Sequence, residues 1–465
     1  MSDATAGSGA PHLAGSPVAG SLAPAVARTL APGEHQAALV TADGTPLKAA
    51  LQRSQRQARW RAFALVAPLL LFVLITFVWP IGEMLYRSVH NPSFADNMPA
   101  LSQWFEANPD ATGVPRDEAA WTALRDDLVA AKKARTQGEI GTRVNYDKPG
   151  SRSLFTKSAR RAERLKEPYG EAFAKLDKRW TDPELWGVMR RTASPYSGSF
   201  YVKSLDLKQG PDGSLQRVAE NQRIYLDLYW RTVWISALIT VLTLVLGFPV
   251  AHMLATLPLR YSNLLMILVL LPFWTSLLVR TTAWIALLQG QGVINDALVA
   301  FGLVGEDGAL TPLLSSWGMA DTTGRVPMMY NQAGTIIAMT HILLPFMVLP
   351  LYSVMKTIPP AYVRAARSLG ASQWTAFWKV YFPQTVPGIG AGALLVFILA
   401  LGYYITPALV GGAKGTLISN IIAEAMLSWN NWSLAAAMGA ILLVGVLVLY
   451  WVYDRIVGID NMKLG

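Results

Sequence analysis

Six stretches of mostly apolar residues punctuate the chain, at 62–81, 232–254, 264–283, 334–354, 389–408 and 434–453. Crossing a hydrocarbon core of about 30 Å takes roughly 20 helical residues. Only a helix satisfies its own backbone hydrogen bonds in lipid without pairing to a neighbour. The pattern therefore predicts an all-α membrane protein with six transmembrane helices. Pro68, Pro80, Pro249, Pro272, Pro345 and Pro350 lie inside or at the edges of these stretches. A proline removes one backbone donor and kinks a helix. Kinks suit a bundle that moves, and they are equally ordinary in membrane helices.

The polar segments divide the rest. Residues 1–46 are rich in Ala, Gly, Pro, Ser and Thr, and such a composition buries too little apolar surface to offset chain entropy. A disordered cytoplasmic tail is expected there. Residues 47–61 read as a basic amphipathic segment suited to an anionic membrane surface, or as a merely solvated charged one. Residues 62–88 are expected to form the first transmembrane helix, left uncleaved because nearly sixty residues precede a full-length apolar run. Residues 89–224 form a large polar insert between the first and second helices, and 225–465 a five-helix body. Within the insert, helices are expected over 117–135 and 163–179, and a hairpin turn around Gly210–Gly213. Its mixed charges read as an ordinary solvated surface or as a docking surface for a partner protein.

Basic residues orient the spans. Arg53, Arg56, Arg59 and Arg61 precede the first, Arg260 lies between the second and third, and Lys356, Arg364, Arg367 and Lys379 lie between the fourth and fifth. All fall on one side, which the positive-inside rule makes the cytoplasm. Both termini are then cytoplasmic and the insert external. The many Lys and Arg of the insert do not oppose this, because long loops are exempt from the rule.

Composition adds exclusions. Hydrophobic residues make up 52% of the 465 and charged ones 15%. The formal charge of +10 is scattered through the polar segments rather than gathered into a stripe, so nucleic acid is not the expected partner. There is no Cys, which excludes disulfides and thiol chemistry. The string GGAKGT at 411–416 has the wrong order for a phosphate-binding loop, so the energy for any active transport must come from another chain. His12, His35, His90, His252 and His341 lack metal-like spacing, and no nucleophile sits beside a base, so neither a metal nor a catalytic site is expected. His252 and His341 lie in or beside spans, where either a proton or substrate role or simple satisfaction inside the bundle fits. Glu83, Asp227, Asp296 and Glu424 flank spans on the external side, an arrangement that suits a cationic solute. The glycines at 388–392 fit close helix packing.

The segment 358–389, IPPAYVRAARSLGASQWTAFWKVYFPQTVPGI, carries the strongest pattern. Pro359 and Pro360 set the start of a helix, Ala365, Ala366 and Leu369 give it a small-residue face, and Gly370 permits a sharp break. A second helix carrying Trp374, Phe377 and Trp378 is expected to end at Pro383. A short surface helix and turn of this kind can seat in a groove on another protein.

This segment resembles the loop of ABC importer permeases whose signature is Glu-Ala-Ala, three residues, Gly, and a later Leu-Pro. Ala365, Ala366, Gly370 and Pro383 match, while Arg364 replaces the Glu and Phe382 the Leu. PFWTSLLVR (272–280), ILLPFMVLPLYSVM (342–355), ARSLGASQWTAFW (366–378) and GGAK (411–414) extend the similarity to the permeases of spermidine/putrescine importers. The first span, with VWPIGEMLYRS at 78–88, also fits, whereas residues before 60 and the insert do not. The resemblance implies the type I importer permease fold and an inner-membrane location. It implies a second homologous permease, two ATPase subunits that bind ATP and Mg²⁺, a periplasmic solute-binding protein, and no cofactor held by this chain. Arg364, Ala365, Ala366, Leu369, Gly370 and Pro383 would form the coupling site for the ATPase. Closure of the ATPases would then drive alternating access for a polyamine. An opine, another amino-containing solute or a metal complex is the alternative cargo, and an ion-coupled transporter the alternative mechanism. Trp274, Tyr403, Tyr404 and Glu424 are the expected pathway residues, since aromatic faces attract ammonium groups. Interfacial anchoring accounts for the same aromatics.

Overall fold

The computed structural model describes residues 47–210, 213–316, 321 and 323–457. The tail expected over residues 1–46 lies outside them. Among the described residues six helices are long and apolar enough to span a membrane: Gln55–Val89, Tyr225–Thr256, Leu277–Ala300, Gln332–Thr357, Gln373–Gly402 and Trp432–Arg455. The chain divides into two units at Val78/Trp79. The first is the helix Leu47–Val73 followed by a π turn, Leu74–Val78. It runs through the basic segment without a break, and its apolar side chains from Trp60 to Val78 are almost all exposed. An apolar surface of that length is satisfied only by lipid or another protein.

Two spans differ from the sequence pattern. The third, expected over 264–283, is broken in its middle. A helix Leu259–Leu270 tightens into a 3-10 turn, Leu271–Trp274, and a new helix Leu277–Leu288 starts afresh. Pro272 supplies no backbone donor here. Ser276 caps the new helix, its Oγ accepting from the Val279 N–H at 3.2 Å. The apolar run thus reads through a polar break, and the span itself lies further along. The fifth, expected from 389, begins at Gln373 instead. Pro383 does not end the preceding helix. A π turn, Phe377–Tyr381, leads into Phe382–Gly402. Such turns release the bonding register that a proline would otherwise violate. Gln384 then donates its side-chain amide to the Val380 carbonyl at 2.6 Å. At the other end the helix stops at Gly402, so Tyr403 and Tyr404 sit at a break before the short helix Ile405–Val410.

The second, fourth and fifth spans pack together as the core of the body. The fourth is the most enclosed, with 61% of its apolar window buried. Contact with the fifth is backbone-close. A Cβ on Gly392 would lie 2.8 Å from Met347 Sδ and 3.2 Å from the Met347 carbonyl, and one on Gly388 3.0 Å from Val354 Cβ. Without a hydrophobic driving force between helices in lipid, such close approach is what holds them together.

Residues of the insert enclose a separate core of Phe94, Leu124, Phe155, Phe173, Trp180 and Trp186 among others. The first expected helix is present as Glu118–Ala134, with Asp117 as its N-cap and Arg135 closing it in the left-handed conformation. The second, over 163–179, is replaced by a 3-10 turn at Ala162–Arg164, a helix Tyr169–Leu176 and another turn at Lys178–Thr181. Pro168 interrupts that pattern, since the residue before a proline is driven from helical geometry. Two short strands, Leu207–Gln209 and Leu215–Arg217, pair antiparallel around the expected hairpin.

The insert is also stitched to the body. Asp206, buried and with a positive φ of 54°, caps the second span from outside. Its carboxylate accepts from the N–H groups of Ile224 (3.0 Å), Tyr225 (3.2 Å) and Leu226 (2.7 Å), the donors a helix N-terminus leaves unsatisfied. Tyr146 Oη donates to the Asn430 carbonyl at 2.9 Å, and Asn91 to Ser433 Oγ at 3.1 Å, at the start of the sixth span.

Candidate coupling surface and solute path

The segment between the fourth and fifth spans folds as its local chemistry dictates. Pro360 occupies the first turn of the helix Pro360–Ser368, where its missing donor costs nothing. The end of that helix is a Schellman turn: the Ala371 N–H donates to the Ala366 carbonyl (3.1 Å) and the Gly370 N–H to that of Arg367 (3.0 Å). Gly370 takes φ +90°, and a Cβ there would meet nothing within 4 Å, so the glycine is required by backbone conformation and not by crowding. The spacing from Ala366 to Gly370 is thus the spacing of a helix stop. Ser372 immediately caps the next helix, its Oγ accepting from the Thr375 N–H at 3.1 Å.

No residue of Pro360–Ser368 is buried. Leu369 is 89% exposed and Trp374 71%. Arg364, Ala365, Ala366, Leu369 and Gly370 therefore share one exposed turn, while Pro383 stands apart inside the foot of the fifth span. Beneath the turn the rings of Trp374, Phe377, Trp378 and Tyr381 run in contact along the foot of the fifth span, with Phe248 and His252 of the second span against Phe377. His252 Nδ1 lies 3.2 Å from Tyr381 Oη, so this histidine has a polar partner. A cavity of about 900 Å³ opens between the short helix and the feet of the second, fourth and fifth spans.

The expected pathway residues are only partly gathered. Tyr403 is half-buried against the body core, and Tyr404 is exposed beside it. Both of their carbonyls are held by the helix Ile418–Leu427: Ser419 Oγ donates to that of Tyr403 at 2.6 Å and Asn420 Nδ2 to that of Tyr404 at 2.7 Å. Glu424, exposed, lies one turn further along the same helix. Trp274 sits on the broken third span, 70% exposed, and among the described residues no ring contact or hydrogen bond joins it to the other three. Three of the four carboxylates expected on the external side are engaged with arginines: Glu83 with Arg87, Asp227 with Arg231 and Asp296 with Arg325, each at 2.8 Å. The acidic vestibule suggested by their positions is therefore largely neutralised.

A polar group that the sequence pattern did not single out stands on the resumed third span. Arg280, half-buried, stands in the first turn of the resumed third span, and its Nη2 donates to the Thr275 carbonyl at 3.1 Å across the break. His341 Nδ1 accepts from Trp284 Nε1 at 3.2 Å, and buried Thr281 and Thr406 meet at 3.1 Å. Arg280 Nε and the buried hydroxyl of Thr340, next to His341, have no partner among the described residues. An ionisable side chain on a membrane-spanning helix marks a transport path more often than a packing role. Its signal in the sequence was a single Arg inside the apolar string PFWTSLLVR.

Comparison with known proteins gives the body its family. Residues 233–457 match the family described as "Binding-protein-dependent transport system inner membrane component". The spermidine/putrescine transport system permease protein PotB of Haemophilus influenzae is 32% identical over 241 residues, 52% of this chain and 78% of that protein. PotB of Escherichia coli K12 is 34% identical over 241 residues, 52% of this chain and 81% of that protein. The chain belongs to this family of ABC importer permeases. A crystal structure of a bacterial ABC transporter that imports the polysaccharide alginate aligns with TM-score 0.40 and 19% identity, covering 51% of this chain and 80% of that one. The permease is a multi-pass protein of the inner membrane, and the family match covers residues 233–457 of its body.

Proposed function

We propose that this permease moves a polyamine from periplasm to cytoplasm by alternating access, driven by ATPase subunits that dock on Pro360–Ser368. The observation that carries the docking is the helix itself: nine residues, none buried, ending in a turn whose geometry fits the family's signature spacing. The helix rests Val363 against the body core and leaves its outer face, with Arg364, Ala365 and Leu369, exposed for a partner. Arg364, Ala365, Ala366, Leu369 and Gly370 make the contact surface, and Pro383 acts from behind it, in the first turn of the helix that follows the π turn. Polyamine as cargo is supported by the function in the names of the PotB relatives. Tyr403, Tyr404 and Glu424, tied to one helix, and Trp274 at the broken third span line the route. Arg280, beside the same break, would belong to this route, which works against a bare dication and calls for its charge to be neutralised as the path opens. Another amino-containing solute, an opine or a metal complex remains the alternative cargo, and an ion-coupled mechanism the alternative drive.

In this reading the permease pairs with a homologous second permease. Two ATPases hold ATP and Mg²⁺, and this chain holds no cofactor. A periplasmic protein delivers solute at the external mouth, with both termini of the permease cytoplasmic and the insert outside. Purification from the native membrane is expected to bring down an ATPase and a second permease. Loading the co-purifying binding protein with spermidine or putrescine should then raise ATP turnover. Stimulation by a different solute alone would replace the cargo. A chain that purifies alone and transports on an ion gradient would overturn the mechanism.

A further inference from the structure

We infer that the partner ATPase meets Pro360–Ser368 with a carboxylate-lined groove, and that Arg364 is the residue that selects that partner over ATPases built for other permeases. The inference rests on the docking proposed above and adds the chemistry of the surface that docks.

Three observations carry it. From residue 322 to residue 423 the sequence contains no Asp or Glu, so the whole joint between the fourth and fifth spans is cationic: Lys356, Arg364, Arg367 and Lys379. Among the described residues none of these four takes part in an ion pair or donates a side-chain hydrogen bond, although arginines elsewhere in the body, Arg231 and Arg325, do both. Lys356, Arg364 and Arg367 line the cavity of about 900 Å³ beside Trp374, Phe377 and His252. The cavity therefore offers a partner side chain an apolar wall and three cations, and no competing acid.

The position of Arg364 sharpens this. It stands where the motif carries Glu, so the charge at the centre of the contact is inverted. A groove that presents a cation to the usual Glu would face Arg364 with like charge, which costs affinity, while a carboxylate there gains a bidentate partner. A repulsive element of this kind discriminates between otherwise similar partners. The guanidinium also has a fork that a lysine lacks, so Arg364→Lys keeps the attraction but loses geometry.

The test uses the full permease in nanodiscs of neutral lipid and its own ATPase, with binding measured across a salt series. Arg364→Glu is expected to weaken binding by at least about tenfold, with Arg364→Ala intermediate and Arg364→Lys close to the parent. The gap between the Glu and Ala variants should narrow as salt rises, since screening acts on exposed charges. Arg364 is exposed, so these variants fold, and unchanged elution of each in detergent checks it. Glu binding as tightly as Arg at every salt overturns the inference while leaving docking intact. Failure of the parent permease to bind the ATPase at all overturns docking itself. Binding that is unchanged in neutral discs, together with loss of attachment to vesicles containing anionic phospholipid, assigns the cations to lipid headgroups and also overturns the inference.

Discussion

The insert and the membrane body solve the same packing problem with opposite materials. The insert fills its centre with rings: Trp180, fully buried, lies among Phe155, Phe173 and Trp186, donates through Nε1 to Ser158 Oγ at 2.9 Å, and accepts on its carbonyl from Trp186 Nε1 at 2.8 Å. The body core is made of Met, Leu and Val side chains pressed against glycines. Water explains the difference. An insert surrounded by water gains from every apolar area it hides. Helices already in lipid gain little from burial, so their stability depends on close contact and on satisfied polar groups. A structure built on area is broken by deletion, and one built on fit is broken by addition.

That contrast sets the order of effects. Trp180→Ala should be the most damaging change in the insert, at about 3–5 kcal/mol, because it removes a fully enclosed ring and leaves the buried Ser158 hydroxyl without its Nε1 donor. Limited proteolysis is expected to open residues 92–200 while the spans stay protected. Equal loss of the spans would show that the two cores fold as one. Gly392→Val should cost the body about 1–3 kcal/mol by overpacking against Met347, and Gly392→Ala less. The readout is thermal stability of the purified permease, and an unchanged midpoint for the Val variant would mean the fourth and fifth spans do not meet as closely as described. Asp206→Ala sits between the two regions. Loss of a helix cap is worth about 0.5–2 kcal/mol, so faster amide exchange confined to residues 224–228 is expected, with solute uptake largely preserved.

The comparison also explains what was legible early. Spans four and six were read within three residues of their ends and span two was read seven residues short at its start, because long apolar runs between polar flanks admit one solution in lipid while the polar first turns of a helix escape the pattern. The third and fifth were misplaced for one reason. Apolar character continues through Pro272–Trp274 and the prolines at 383 and 387, yet the backbone either breaks or shifts register there. Hydropathy has no sense of hydrogen-bond register. In the candidate site, Ala365, Ala366 and Gly370 stood out because a Schellman turn is local and its glycine is obligatory. Arg280 did not, since one Arg in an apolar string gains meaning only from the break it bridges to the carbonyl of Thr275.

The sequence by itself determined the class of protein, the number of spans, the exposed turn that ends at Gly370 and the family signature, all of which follow from composition or from residues within a few positions of one another. Only the tertiary structure decided that Asp206 caps a helix eighteen residues on, that three external carboxylates are paired, and that the expected pathway residues are held in two groups. Those outcomes depend on contacts between segments far apart or turned back on each other, where the three-dimensional path of the backbone chooses the partner.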